Sequence, residues 1–360
     1  MADQTGPKPS AVLSSVVAHP LSRQQLDDRT NPDSFSDLWD LTDKIMELYT
    51  PSSDNTCMII STFRQMLSNH GAIALMTDIK TIGRDEEKLR AFSRYLIDTV
   101  LKPVKLASMV NPVALASTPA SPNPNAASAI TQLAGNVPPP ARGRREILKD
   151  ECLLRDGFRC AYCHCSDYES ITKGLFVPPA DMPAGGTHLS HVLPLALGKF
   201  NNANQVEREA VANLWYALYR YFPGLEGKIG PDSLNQHQNL ITFQTGARED
   251  YNGLLLAFNP VDGKINTYEI KNLLGYPFAV KPPQGHREVM TLVSFDNRYP
   301  LPEPEFFRAD YQIARILDAS GIGAKIRREI NASERDPENL NPDGSTDLGS
   351  IIKRKLLLNV

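Results

Sequence analysis

The chain has 360 residues, of which 41% are hydrophobic and 22% charged, and its net charge is −3. That is apolar material enough for a sizeable core and more chain than one average domain needs, so about two domains are expected. It gives no global positive field for nucleic acid, so any basic surface must be local.

Five cysteines, three of them between Cys160 and Cys165, do not make a disulfide framework and point to a reducing compartment. The first residues lack the basic and apolar segments of a leader, and no run approaches the roughly 18 apolar residues that cross a bilayer. The expectation is an intracellular protein with no membrane partner, with nucleus and cytoplasm both open.

Residues 1–32 are polar and without period, which predicts a disordered tail. Phe35, Leu38, Leu41, Ile45 and Leu48 then recur at steps of three and four. They predict a helix capped by Asp33 or Ser34 and stopped by Pro51. A second helix is predicted from about Thr56 to His70, with Gly71 just past its end. A third runs from about Asp85 to Leu101, turns Leu89, Phe92, Leu96 and Val100 to one side, and ends at Pro103. Residues 33–103 thus read as a helical unit, whose face serves packing or, alternatively, interaction.

From Ala107 to Pro140 there is no charged residue, and residues 104–143 read as a Pro/Ala/Ser-rich linker. Arg142, Arg144 and Arg145 follow it, either as a solvated helix start or as phosphate contacts. A helix is predicted over Arg144–Arg155, stopped by Asp156-Gly157. Another is predicted over Asn204–Phe222, where Val206, Ala210, Leu214 and Leu218 repeat at four; its aromatics read as a packing face. Strand-like runs at Leu254–Phe258 and Ile265–Ile270 flank Asp262-Gly263, a hairpin signal. Val289–Phe295 suggests one more strand. Pro300, Pro302 and Pro304 set off a C-terminal helical segment, 301–331, with a last helix over about Phe307–Ala319 or continuing to Ile330, and a flexible tail from residue 332.

Three marks lie between Arg155 and Asn252. The first is Arg155-Asp156-Gly157-Phe158-Arg159-Cys160, continuing to Cys163 and Cys165. The second is His188-Leu189-Ser190-His191-Val192-Leu193-Pro194. The third is Asn239-Leu240-Ile241-Thr242-Phe243, followed by Ala247-Arg248 and Tyr251-Asn252. In this order they resemble the HNH endonuclease family, in the variant common among fungal predicted proteins. The resemblance covers about a hundred of the 360 residues.

The resemblance implies an α+β protein: an N-terminal helical unit and a ββα-metal core over residues 144–300, extended by helices and a β-hairpin. It implies hydrolysis of phosphodiesters in nucleic acid, with a divalent ion (Mg, Mn or Zn) if active. His191 takes the position of the catalytic base, and Asn239 that of the residue orienting it. Ser190 stands where many relatives carry an acidic ligand. The pattern departs at its end, since Arg248 holds the place of the final histidine and Tyr251 and Asn252 stand for Phe and Asp. Arginine cannot bind a metal, so Asn252 or His237 would have to substitute as ligand, and Arg248 would hold a phosphate. His237 would share a face with Asn239 if both were extended.

Two readings therefore stand: a metal-dependent endonuclease, intact or weakened, and a catalytically degenerate module that binds nucleic acid or protein without cutting. A structural interaction protein is a third. Cys160 and Cys163 have the spacing of a structural zinc pair, which His164 or His188 could complete; otherwise they pack behind the strand. No nucleotide cofactor is expected, and the oligomeric state has no signal.

Overall fold

Why these segments adopt their forms is clearest from which residues they bury. The computed structural model describes residues 35–51, 54–109, 120–136, 145–199, 204–273, 275, 277–283, 285 and 288–334. The predicted tail 1–32 falls outside these, as do Arg142, Arg144, residues 110–119 and the tail predicted from 332 onward, except 332–334, which belong to a helix instead.

Helix α1 (Phe35–Glu47) buries Leu38, Thr42 and Ile45; of the expected face Phe35, Leu41 and Leu48 stay exposed, because the helix packs through a narrower stripe. Helices α2 (Thr56–Met66) and α3 (Asn69–Ile82) replace the single helix expected to end before Gly71. Ser68 adopts extended backbone and its hydroxyl accepts the Gly71 N–H, so a new helix starts there. Gly71 is therefore no stop. Helix α4 (Glu86–Leu96) is capped by Asp85 and runs into a π turn at Ile97–Leu101 and then α5 (Lys102–Met109). Pro103 does not end the helix. The Lys102 N–H reaches back to the Ile97 carbonyl, and this wider register carries the ladder past a residue with no N–H to give.

The segment read as linker contains α6 (Ala126–Asn136), which packs on α9 (Gln205–Tyr221) through Ala126, Ala129, Leu133 and Ala134. Small side chains let two helices approach closely, so a stretch without charge becomes part of the core. Between these two come α7 (Arg145–Arg155), β1 (Ser166–Asp167), α8 (Tyr168–Thr172), β2 (Ala184–Gly185) and β3 (Thr187–His191). After α9 follow β4 (Leu240–Gln244), α10 (Thr245–Asn252), β5 (Leu256–Pro260), β6 (Thr267–Asn272), β7 (Val289–Thr291), α11 (Pro304–Ala319) and α12 (Ile322–Glu334). Pro304 opens α11 at its first position, where a missing N–H costs nothing.

The architecture is α+β: among the described residues, helices with three small sheets, β1-β2 parallel, β3-β4 antiparallel and β5-β6-β7 antiparallel. One buried cluster runs from Leu38 on α1 to Ile326 on α12, so the N-terminal helices and the strand-bearing part share a core. Asp78 on α3 accepts 2.8 and 2.6 Å bonds from the Arg220 guanidinium and 2.8 Å from the Tyr221 hydroxyl, both on α9, with all three buried. Trp215 is fully buried and donates its indole N–H to the Leu197 carbonyl at 3.0 Å, as the packing reading of α9 expected.

The β3-β4 ribbon lies between two helices. Alternation along the strands puts Leu189 and Leu240 on one side, where they cluster with Leu148 and Cys152 of α7. Ser190, Ile241 and Phe243 point to the other side, where Phe243 packs on Tyr251 of α10 with ring centres 5.1 Å apart.

Candidate functional site

His191 is the last residue of β3, paired in register with Leu240, and half-buried. Its Nε2 lies 2.8 Å from the Asn235 side-chain oxygen. Because that oxygen only accepts, the ring donates through Nε2, and in the neutral ring the lone pair sits on Nδ1. Asn235 was not singled out from sequence. The only hint was its place in the polar run Asn235-Gln236-His237-Gln238-Asn239.

The Asn239 side chain makes no hydrogen bond to His191 among the described residues; it holds the loop that follows it. Its side-chain oxygen accepts the Leu193 N–H at 2.8 Å, and its amide donates to the carbonyls of Leu193 (2.9 Å) and Leu234 (3.0 Å). Its own carbonyl accepts the Val192 N–H at 2.8 Å. Fully buried and satisfied on both ends of the amide, Asn239 fixes the two backbone segments that carry His191 and Asn235. The Tyr251 hydroxyl adds a 3.3 Å bond to the Val192 carbonyl.

On the opposite side of the ribbon, Ser190 faces α10. Its hydroxyl is buried and makes no hydrogen bond among the described residues. The Arg248 Nε is likewise buried and unbonded. Arg248 and Asn252 are four residues apart on α10, so they share one flank of that helix, beside the stripe of Ala247 and Tyr251 that packs inward. His188, also on the α10 side, lies 3.2 Å from the Thr245 hydroxyl in the first turn of α10. Strand alternation thus puts His191 on the opposite side of the ribbon from His188 and Ser190.

The first mark braces the ribbon from behind. Arg155 is fully buried, and its guanidinium bonds Asp156 twice (2.7 and 3.0 Å) and the carbonyls of His237, Pro300 and Leu240 (3.0, 3.0 and 2.8 Å). Burial disfavours the charged guanidinium, but Asp156 beside it holds the pKa above the usual range. Asp156 also accepts the Thr242 N–H at 3.1 Å. These two residues therefore clamp β4 to the end of α7.

His237 is not extended; it opens a 3-10 turn, His237–Asn239, so the condition for sharing a face with Asn239 is not met. Its Nε2 lies 2.9 Å from Glu151, and its ring stacks on Tyr299 at 5.1 Å. Cys160 is fully buried, and its sulfur accepts the Cys163 N–H at 3.4 Å. Burial opposes its ionisation, but the Cys163 thiol and nearby backbone N–H groups bring its pKa down, while the Cys160 sulfur pushes that of Cys163 up. The turn is tied to the ribbon by the Ala161 N–H donating to the Thr242 carbonyl at 2.9 Å. Among the described residues, no three His, Cys, Asp or Glu side chains are grouped to hold a metal ion.

Compared with family models, with curated proteins and with solved structures, the chain matches none.

Proposed function

We propose that the ribbon and α10 form an HNH-like ββα module that binds nucleic acid through its phosphates, with Arg248 as the principal contact. What supports this is Arg248, half-buried on α10, a guanidinium whose Nε makes no hydrogen bond among the described residues. A buried donor left unbonded costs about 1–3 kcal/mol, so the half-buried guanidinium of Arg248 gains from an anion that engages its fork. A phosphate diester offers that fork two oxygens in matching geometry.

The donors on this face are a hydroxyl, a guanidinium and a carboxamide. Arg248 carries a fixed positive charge and only donors, so the set does not fit a divalent cation, and no hydrolytic step is derived through one. Phosphodiester hydrolysis remains the second reading. What favours it is His191, held at the ribbon end by Asn235 in the position that the family's base takes.

Binding of a labelled duplex or single strand, followed by anisotropy against salt, tests the first reading. Arg248→Ala should weaken binding about tenfold and lower the salt slope by about one. Affinity and slope that ignore the substitution would remove the assignment. Plasmid cleavage with Mg²⁺, Mn²⁺, Ni²⁺ or Zn²⁺ that His191→Ala abolishes would replace it with the second reading.

A further inference from the structure

Away from the ribbon–α10 face, a cleft of about 150 Å³ opens between the cysteine turn and β7. Arg159 to Tyr162 and His164 form one wall, Val289 to Val293 with Phe295 the other, and Asp156 lies between. The volume is below the roughly 300 Å³ at which sites for drug-sized ligands begin, and suits a single side chain or an anionic head group.

Two features say what belongs there. The first is Arg159. Its guanidinium lies over the Phe295 ring at 4.6 Å, and no carboxylate or carbonyl pairs with it among the described residues. Asp156 is already engaged by Arg155 and the Thr242 N–H. Burial without a counter-charge pushes the Arg159 pKa down. The second is the edge of β7. In the β6-β7 ladder the Leu292 N–H donates to the Asn266 carbonyl and the Ile270 N–H to the Glu288 carbonyl. The bonded pairs are therefore the even-numbered ones, and the N–H and C=O groups of Val289 and Thr291 point away from β6. Five consecutive residues of both orientations line the cleft, as they would if it ran along the backbone edge rather than over one face.

We propose that this cleft takes an extended acidic peptide, which adds as a strand to β7 and sets one carboxylate against Arg159. A free strand edge asks for alternating N–H and C=O groups, which a peptide supplies and a phosphate backbone does not. The exposed side chains of Val293 and Phe295 offer apolar contacts alongside. The site is independent of the Arg248 face.

The test is anisotropy of the dye-labelled peptide Val-Glu-Val-Thr-Val with the full chain. Arg159→Ala should weaken binding about tenfold, and replacing the peptide's Glu by Gln should do the same with the protein untouched. Thr291→Pro, which removes an outward N–H and leaves the ladder to β6 intact, should also weaken binding at an unchanged melting temperature. No binding, or binding that ignores these changes, would overturn the proposal. So would an oligothymidylate that binds in the peptide's place and is lost in Arg159→Ala, which would make the cleft a nucleic-acid contact.

Discussion

Arg155 makes five hydrogen bonds from a fully buried guanidinium, and three go to carbonyls more than 80 residues away. Removing one member of a buried ion pair leaves the other charge without compensation, which costs about 3–5 kcal/mol. Arg155→Met should therefore lower unfolding free energy by about that much in urea titration, and adding Asp156→Asn should recover part of the loss. An additive double variant would show that the pair does not act as a unit. His191 and Asn239 show a different division of labour. Asn239 fixes backbone, and Asn235 fixes the ring, so what had been expected of one residue is done by two.

At the scale of elements, the contact of α3 with α9 is set by Gly71. A Cβ placed there would lie 2.1 Å from the Tyr221 carbonyl oxygen, which is backbone and cannot swing aside. In an exposed helix, Gly→Ala stabilises by about 1 kcal/mol. Here the sign should reverse: Gly71→Ala should destabilise by about 1–3 kcal/mol, read as a lower denaturation midpoint. A higher midpoint would mean that the two helices can part without loss. The ribbon is positioned in the same way, by α7 on one side and α10 on the other.

Across the whole molecule, Asp310 on α11 links distant parts. It is buried, its Oδ2 has no hydrogen-bond partner among the described residues, and burial raises its pKa to about 8, against the lowering effects of the Tyr251 hydroxyl and Lys105. Lys105 on α5 is itself buried, its pKa is lowered by burial to about 8, and its ammonium donates to the Gly253 carbonyl. The unfolded Asp ionises near pH 4, so between about pH 4 and 8 the folded state holds one proton more. On this group's account stability is greatest below pH 4 and falls as pH rises to 8, by about 1.4 kcal/mol per unit. Asp310→Asn should remove that slope, so the stability difference between wild type and variant should change between pH 5 and 8. A pH-independent difference would refute the assignment. Tyr251, which bonds the carbonyl beside His191, takes part in the same network, so the core of α11 reaches the ribbon.

The sequence by itself determined the α+β class, the helix faces at Leu38 and Ile45 and at Ala210 and Leu214, the hairpin around Asp262-Gly263, and the order of strand, strand and helix that carries His191, Asn239 and Arg248. These are local: they rest on periodicity and on turn residues a few positions apart. Only the tertiary structure decided that Gly71 is a contact rather than a stop, that α6 forms within a stretch read as linker, and that Asn235 holds His191 while His237 turns to Glu151. It also decided that α1–α5 share one core with the strands. Each of these depends on partners distant in sequence: Gly71 on Tyr221, α6 on α9, Asn235 on His191. Burial against a distant partner leaves no period along the chain, and residue type alone does not say which of several asparagines or glycines the packing will use.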